Sequence, residues 1–207
     1  MLGCTAQSTK QTTQAPSQET PETSASVSTA ANTTVPVTPA VSATGSAMDW
    51  YPIAKAEALK WRTDAKLIEA SGDNRNGKNY YAIDGKTDKW IYSFISVPIL
   101  TKYRIIIEAG AITDMDNYDE PLAKMMYDGS PSGDDWVIDS TSAVEIVNTK
   151  ANGQDFISTI SKIRANYLLK FAGMGAATPI AWTISYFPEN YGQNFMTYVN
   201  GETGDIV

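Results

Sequence analysis

Every aromatic residue of this 207-residue chain lies beyond position 47, so its core must come from the C-terminal part alone. Residues 5–47 hold 18 Ser or Thr, with Pro16, Pro21, Pro36 and Pro39 spaced among them. Ordering such a stretch costs roughly 1–2 kcal/mol per residue, and it has too little apolar surface to offset that cost. Residues 1–47 are therefore expected to be a disordered tether. The folding part begins at Met48 and is about 160 residues long, enough to bury a core without disulfides.

Composition removes several kinds of chemistry. The chain has no His, and Cys4 is its only Cys, which excludes Ser-His-Asp triads, Cys-His dyads and His-ligated zinc. Residues 48–207 carry 15 Lys or Arg against 21 Asp or Glu, and no basic cluster. That balance argues against nucleic acid and against a membrane-surface helix. No run of about 20 apolar residues is present to span a bilayer. Glu57 and Glu145 occupy similar places on two expected helices and read as solvent-facing residues, not as a catalytic carboxylate pair. The acidic stretch Asp114–Glu120 reads as a solvated turn: Tyr118 stands where a calcium loop needs a ligand, and the Gly after it is missing. The small-residue loop at 172–177 lacks the Lys-Ser/Thr of a phosphate loop and reads as a hairpin connection. No enzyme, metal or cofactor is expected.

Leu2-Gly3-Cys4-Thr5 resembles the end of a bacterial or archaeal lipoprotein signal, in which a small residue precedes the Cys that becomes the lipidated N-terminus. A tether rich in Ser, Thr and Pro would then hold the domain away from the headgroups, its reach set by random-coil statistics. Asn32-Thr33-Thr34 fits the N-glycan acceptor pattern, which makes Asn32 a candidate modification site.

Residues 48–207 divide into two similar halves. Asp49-Trp50 precedes an Ala-rich helical segment, Ile53–Trp61, with Pro52 in a place that a first turn tolerates. Asp135-Trp136 precedes a second helical segment in which Ser142 and Glu145 have capping-box spacing. Phe156, Ile157, Ile160 and Ile163 follow at helical spacing. Strand character is expected at Asn79–Ile83 and Asn166–Phe171. The closest internal match sets Trp90-Ile91-Tyr92-Ser93-Phe94 against Trp182-Thr183-Ile184-Ser185-Tyr186, and at the same offset of 92 sets Tyr103–Ala109 against Phe195–Gly201. The expectation is an α+β fold: two repeats, 48–115 and 135–207, joined by a connector at 116–134. Each would be one or two helices followed by a three-stranded antiparallel meander, with the helices packed on the sheet.

This unit closes with Val199-Asn200-Gly201-Glu202-Thr203-Gly204-Asp205-Ile206-Val207 and is similar to the PepSY domain, which typically ends in a strand and a Thr-Gly turn. The first half keeps only Ile107-Glu108-Ala109. The resemblance implies a helix across an antiparallel sheet and a non-catalytic role, often protease inhibition or regulation at the cell envelope. The β-lactamase inhibitor proteins are tandems of related architecture that bind their enzyme with the concave face of the sheet.

Alternation puts Trp90, Tyr92 and Phe94 on one face of their strand, and Trp182, Ile184 and Tyr186 on one face of theirs. Facing outward, Trp90, Tyr92, Phe94, Trp182 and Tyr186 would form an aromatic contact surface for a protein partner; facing the helices, they would be core. The resulting expectation is a monomeric, extracytoplasmic, lipid-anchored binding or regulatory module for an envelope or extracellular protein such as a protease. The alternative is a passive structural or solute-binding envelope lipoprotein. With a complete signal placed upstream, Cys4→Ala should move the protein from the membrane pellet to the soluble fraction; unchanged retention in the pellet would refute lipidation at Cys4.

Overall fold

The computed structural model describes residues 44–76, 79–80, 83–96, 98–99, 101–120, 136–160, 162–171, 180–189 and 192–207. The fold is α+β. Its helices are α1 (Ala47–Trp61), α2 (Ser140–Lys150) and α3 (Gly153–Ser158). The strands are β1 (Lys66–Asp73), β2 (Arg75–Asn76), β3 (Asn79–Tyr80), β4 (Lys89–Ser96), β5 (Thr101–Glu108), β6 (Ala111–Asp119), β7 (Ile163–Phe171), β8 (Ile180–Pro188) and β9 (Phe195–Asn200). Seven strands form one antiparallel sheet in the order β6-β5-β4-β1-β7-β8-β9, and β2 and β3 pair as a separate short hairpin. Instead of two separate meanders there is one sheet, because the first strand of each half, β1 and β7, pair with each other at its centre. From that pair outward the order is the same on both sides, β1-β4-β5 and β7-β8-β9, with β6 added at one edge. The offset of 92 is kept in the pairing, since Trp90 opposes Ile107 and Trp182 opposes Val199.

Local chemistry explains the elements. Ser46 caps α1 through a capping box: its hydroxyl accepts from the Asp49 N–H at 3.2 Å, and the Asp49 carboxylate accepts from the Ser46 N–H at 2.8 Å. Ala47, Trp50, Ala54 and Ala58 form the buried stripe of α1, and three small residues in four let the helix lie close to the strands. Between β5 and β6, Ala109 and Gly110 both have positive φ (49° and 82°), the combination a two-residue type I′ hairpin requires. The core lies between the helices and one face of the sheet. It holds Trp90, Tyr92 and Phe94 from β4, Tyr103, Ile105 and Ile107 from β5, Tyr167 and Leu169 from β7, and Trp182, Ile184 and Tyr186 from β8.

Several expectations need correction. The ordered part starts before Met48: Gly45 bridges Thr87 in antiparallel fashion (2.9 and 3.1 Å), and Ser46 and Ala47 are buried. The helix cap of the second half is Asp139, not Ser142, which lies inside α2. The two Asp-Trp pairs are not equivalent, since Trp50 is inside α1 whereas Trp136 precedes the cap of α2. Residues Asp114–Asp119 belong to the edge strand β6, not to a turn and the start of a connector. Asn79-Tyr80 lies in the side hairpin, and the place expected for it in the sheet is taken by β1. Ile163 begins β7 and does not continue the helical spacing of Phe156 and Ile157. The loop at 172–177 falls outside the described residues.

A chain beginning at Thr44 should therefore keep full stability, while one beginning at Met48 should not. The shorter chain loses a helix cap, worth about 1 kcal/mol, and the backbone partners of the Trp90 indole and the Tyr92 hydroxyl. Each buried donor left unpaired costs about 1–3 kcal/mol, so its melting point should fall on the order of 10 °C. Equal melting points for the two chains would refute this boundary.

Candidate functional site

The aromatic row is core and not a contact surface. Trp90, Tyr92, Trp182 and Tyr186 are fully buried and Phe94 is 1% exposed, all packed beneath the helices. Strand alternation marks two faces without saying which one the helices take; here they take the face with the larger apolar area, which gains more from leaving water. The two indoles meet edge to face with ring centroids 6.2 Å apart, and Trp136 packs against Trp182 at 5.8 Å. Trp90 Nε1 donates to the Gly45 carbonyl at 2.9 Å, and Trp182 Nε1 to the Ile138 carbonyl at 2.6 Å. Gly45 and Ile138 are each the residue before a helix cap. Gly72, opposite Trp90, leaves room for that ring, since a Cβ there would stand 2.9 Å from an indole carbon. Cys4 and Asn32 lie outside the described residues.

None of the described helices packs against the opposite face of the sheet, which is exposed only in part: Ser93, Ile95, Ile106, Ala181 and Ser185 on it are buried, whereas Ser71, Ile91, Leu168 and Thr183 are half-buried. Strand pairing aligns one row across six strands: Ile106, Ile91, Ser71, Leu168, Thr183 and Tyr198. Ser71 opposes Leu168 where the two halves meet, so this row crosses their junction. Charged residues flank it. On one side Glu69 opposes Lys170, and Arg104 grips Asp116 with two bonds of 3.0 and 2.7 Å. On the other, Lys89 pairs with Glu108 at 2.8 Å, and Arg164 lies 3.9 Å from Asp73 and 4.7 Å over the Phe187 ring. These pairs are solvent-exposed or nearly so, and each is worth about 0–1 kcal/mol. Their use is to fix side-chain positions beside the row.

A cleft of about 450 Å³ opens on this face, lined by Ser71, Asp73, Asp88, Lys89, Glu108 and Asn166, with Ile91 and Gly72 at its wall. Asn166 is held by an Nδ2 bond to the Gly72 carbonyl at 3.3 Å. Among the described residues no three acidic or Cys side chains come together as a metal site, and no helix is long and apolar enough to cross a membrane. Glu57 is tied to Lys60 at 2.8 Å and Glu145 is exposed on α2. No family model, curated protein or solved structure matches the chain.

Ser71, Leu168 and Asn166 were not legible as surface residues from the sequence. In β1 the alternation is broken by a bulge at Ile68, which puts Leu67 and Ala70 on the same face at a spacing of three. Ile91, Ser93, Thr183 and Ser185 could be assigned to the face opposite the Trp rows, as alternation requires.

Two predictions test which face is core. Trp90→Ala and Trp182→Ala should each cost about 3–5 kcal/mol in denaturant unfolding; a cost near zero for either would put its ring outside the core. Burial also pushes the hydroxyls of Tyr92, Tyr167 and Tyr186 above the usual tyrosine value of about 10. Each keeps its proton in the folded state at a pH where the unfolded chain has lost it. Their contribution is thus complete below about pH 10 and shrinks as pH rises above that value. In an alkaline titration the last tyrosinate absorbance should appear only together with loss of the circular dichroism signal. Complete ionisation near pH 10 with the fold intact would contradict the burial.

Proposed function

We propose that the chain is a lipid-anchored envelope module that binds a protein partner, such as a protease, through the face of its sheet opposite the described helices. In this reading it is built from two PepSY-like repeats, one on each side of the β1–β7 pair. The observation that carries it is the segregation of the helices. All the described helices pack on one face; on the other, Ile91, Ser71, Leu168, Thr183 and Tyr198 form a half-buried row across five strands between charged flanks, with Ile106 buried at its end. A sheet face of this composition suits a partner that needs moderate apolar contact and fixed polar pairs at the rim. The matching strand order and the preserved offset of 92 support the tandem reading. Leu2-Gly3-Cys4 and the tether support the anchor.

Solute binding is favoured by one feature, the 450 Å³ cleft with its convergent polar groups, which is in the size range of small-molecule sites. The two readings separate in one experiment. Immobilised protein is incubated with solubilised native envelopes, beside a Ser71→Arg/Thr183→Arg variant whose changes lie on half-buried surface positions of the central row. A protein captured by the wild type and reduced at least about tenfold by the variant, with melting changed by only a few degrees, supports docking on this face. Capture that is unaffected by the variant would remove the face from the interaction.

A further inference from the structure

Residues 44–47, where the N-terminal segment enters the domain, are held by an unusual number of groups from distant parts of the fold. Gly45 exchanges both backbone bonds with Thr87, and its carbonyl also takes the Trp90 indole N–H at 2.9 Å. The Ala47 carbonyl takes the Tyr92 hydroxyl. The first free N–H groups of α1, which a helix normally leaves to water, go to the other half of the molecule: Ala47 N–H to Ser140 Oγ at 3.0 Å and Met48 N–H to Asp139 Oδ1 at 3.0 Å. Asp139 is at the same time the cap of α2, accepting from the Ser140 N–H at 2.7 Å. Ser140 Oγ donates its own hydrogen bond to the Gly85 carbonyl at 2.7 Å. There is no room to spare: a Cβ on Gly45 would stand 2.6 Å from the Trp50 indole nitrogen, and one on Gly85 would stand 2.4 Å from the Ser140 carbonyl oxygen.

We infer that residues 44–47 are a clamp that fuses the incoming chain to the core, so that a load applied through the N-terminal segment reaches the sheet and both helix starts directly instead of fraying α1. The partners of this short strap come from β4, from the 83–88 segment and from the cap of α2, so it cannot lift without unpairing buried donors in both halves. An ordinary helix start has only its own cap and exchanges its first-turn amides at nearly the rate of an open chain. This clamp is independent of what the domain binds. If the N-terminus is anchored, it is also the point at which a bound partner's pull is resisted.

Native-state hydrogen exchange on the full chain reads the clamp amide by amide. The amides of Gly45, Ala47 and Met48 should exchange as slowly as those of β4, within about tenfold, through global opening only. Exchange about a hundredfold or more faster than β4 would mean that the strap detaches on its own and would overturn the inference. Ser140→Ala and Tyr92→Phe, which keep backbone and ring in place, should each speed exchange at 45–48 by at least about tenfold more than in β9. No change at 45–48 in either variant would equally overturn it. The load is tested by pulling between the Cys4 thiol, the only one in the chain, and a second thiol introduced as Glu145→Cys on the exposed face of α2. Extension should begin with rupture of the domain; a separate earlier step of roughly 6 nm, the length of the strap plus α1 as extended chain, would show peeling and sink the clamp.

Discussion

Two indole N–H groups fix this fold. A buried tryptophan needs a partner for its nitrogen, and an unpaired one costs about 1–3 kcal/mol. Trp90 and Trp182 find theirs in carbonyls that immediately precede the caps of α1 and α2. Each bond therefore sets where a helix starts relative to the second strand of its half. Because the rings also touch each other at 6.2 Å, the two helix starts are brought to one place. There Asp139 and Ser140 serve both helices, capping one and taking free amides of the other. The placement of the helices, the closure of the sheet at β1–β7 and the engagement of residues 44–47 all follow from that meeting.

Putting both helix starts under one cluster of aromatic rings places all the described helices on the same side. The consequence for function is a sheet with two unlike faces. The covered face is aromatic and branched, and the hydroxyls of Tyr92 and Tyr186 on it are taken up by internal bonds. On the other face Ser71, Leu168 and Thr183 are only half-buried, and charged pairs stand on either side. Among the described residues the sheet ends in two edge strands, β6 and β9. Beyond β9, Val207 N–H reaches the Tyr198 carbonyl and Asn200 N–H the Asp205 carbonyl, so the chain end covers part of that edge. At β6 the protection is charge: Asp114, Asp116 and Asp119 make the strand a poor template for further pairing.

The sequence made some of this legible and hid the rest for definite reasons. Trp90 and Trp182 could be aligned because both strands are strongly alternating and the hairpins after them keep one register, so a single offset covers two strands. The same alignment fails at the first strands, where Gly72 opposes Trp90 but Leu169 opposes Trp182, an offset of 97 instead of 92. The bulge at Ile68 and the glycine beneath the indole removed both the alternation and the apolar character by which β1 could be recognised. β6 was hidden because Asp-rich sequence has low strand propensity, and because an Ala-Gly pair is a weak sign of a type I′ turn. The domain boundary was set three residues late for a different reason. Gly45, Ser46 and Ala47 look like the end of a low-complexity tether, and their contributions are backbone groups, a cap and close approach, none of which hydrophobicity registers.

That same property bears on where binding residues are to be sought. The residues that a composition-based reading puts first, large aromatics in rows, are the ones a small α+β domain can least spare from its core. About 160 residues bury only some 70% of their unfolded surface. Each Trp or Tyr left outside withdraws roughly 150–250 Å² from that total. The aromatic-rich half of an alternating strand is therefore drawn inward: among the described residues every buried aromatic ring belongs to the one cluster beneath the helices, and only the aliphatic Ile68, Ile95, Ile106 and Ala181 are buried outside it. What remains partly outside is mostly Ser, Thr, Leu and charge, with Ile91 and Tyr198, residues that say little one by one. Their meaning comes from pairing. Ile106, Ile91, Ser71, Leu168, Thr183 and Tyr198 come from six strands scattered over 128 residues and become one row only through five antiparallel registers. A recognition face made this way is a property of the sheet's topology, and it is readable only once the strand order is known.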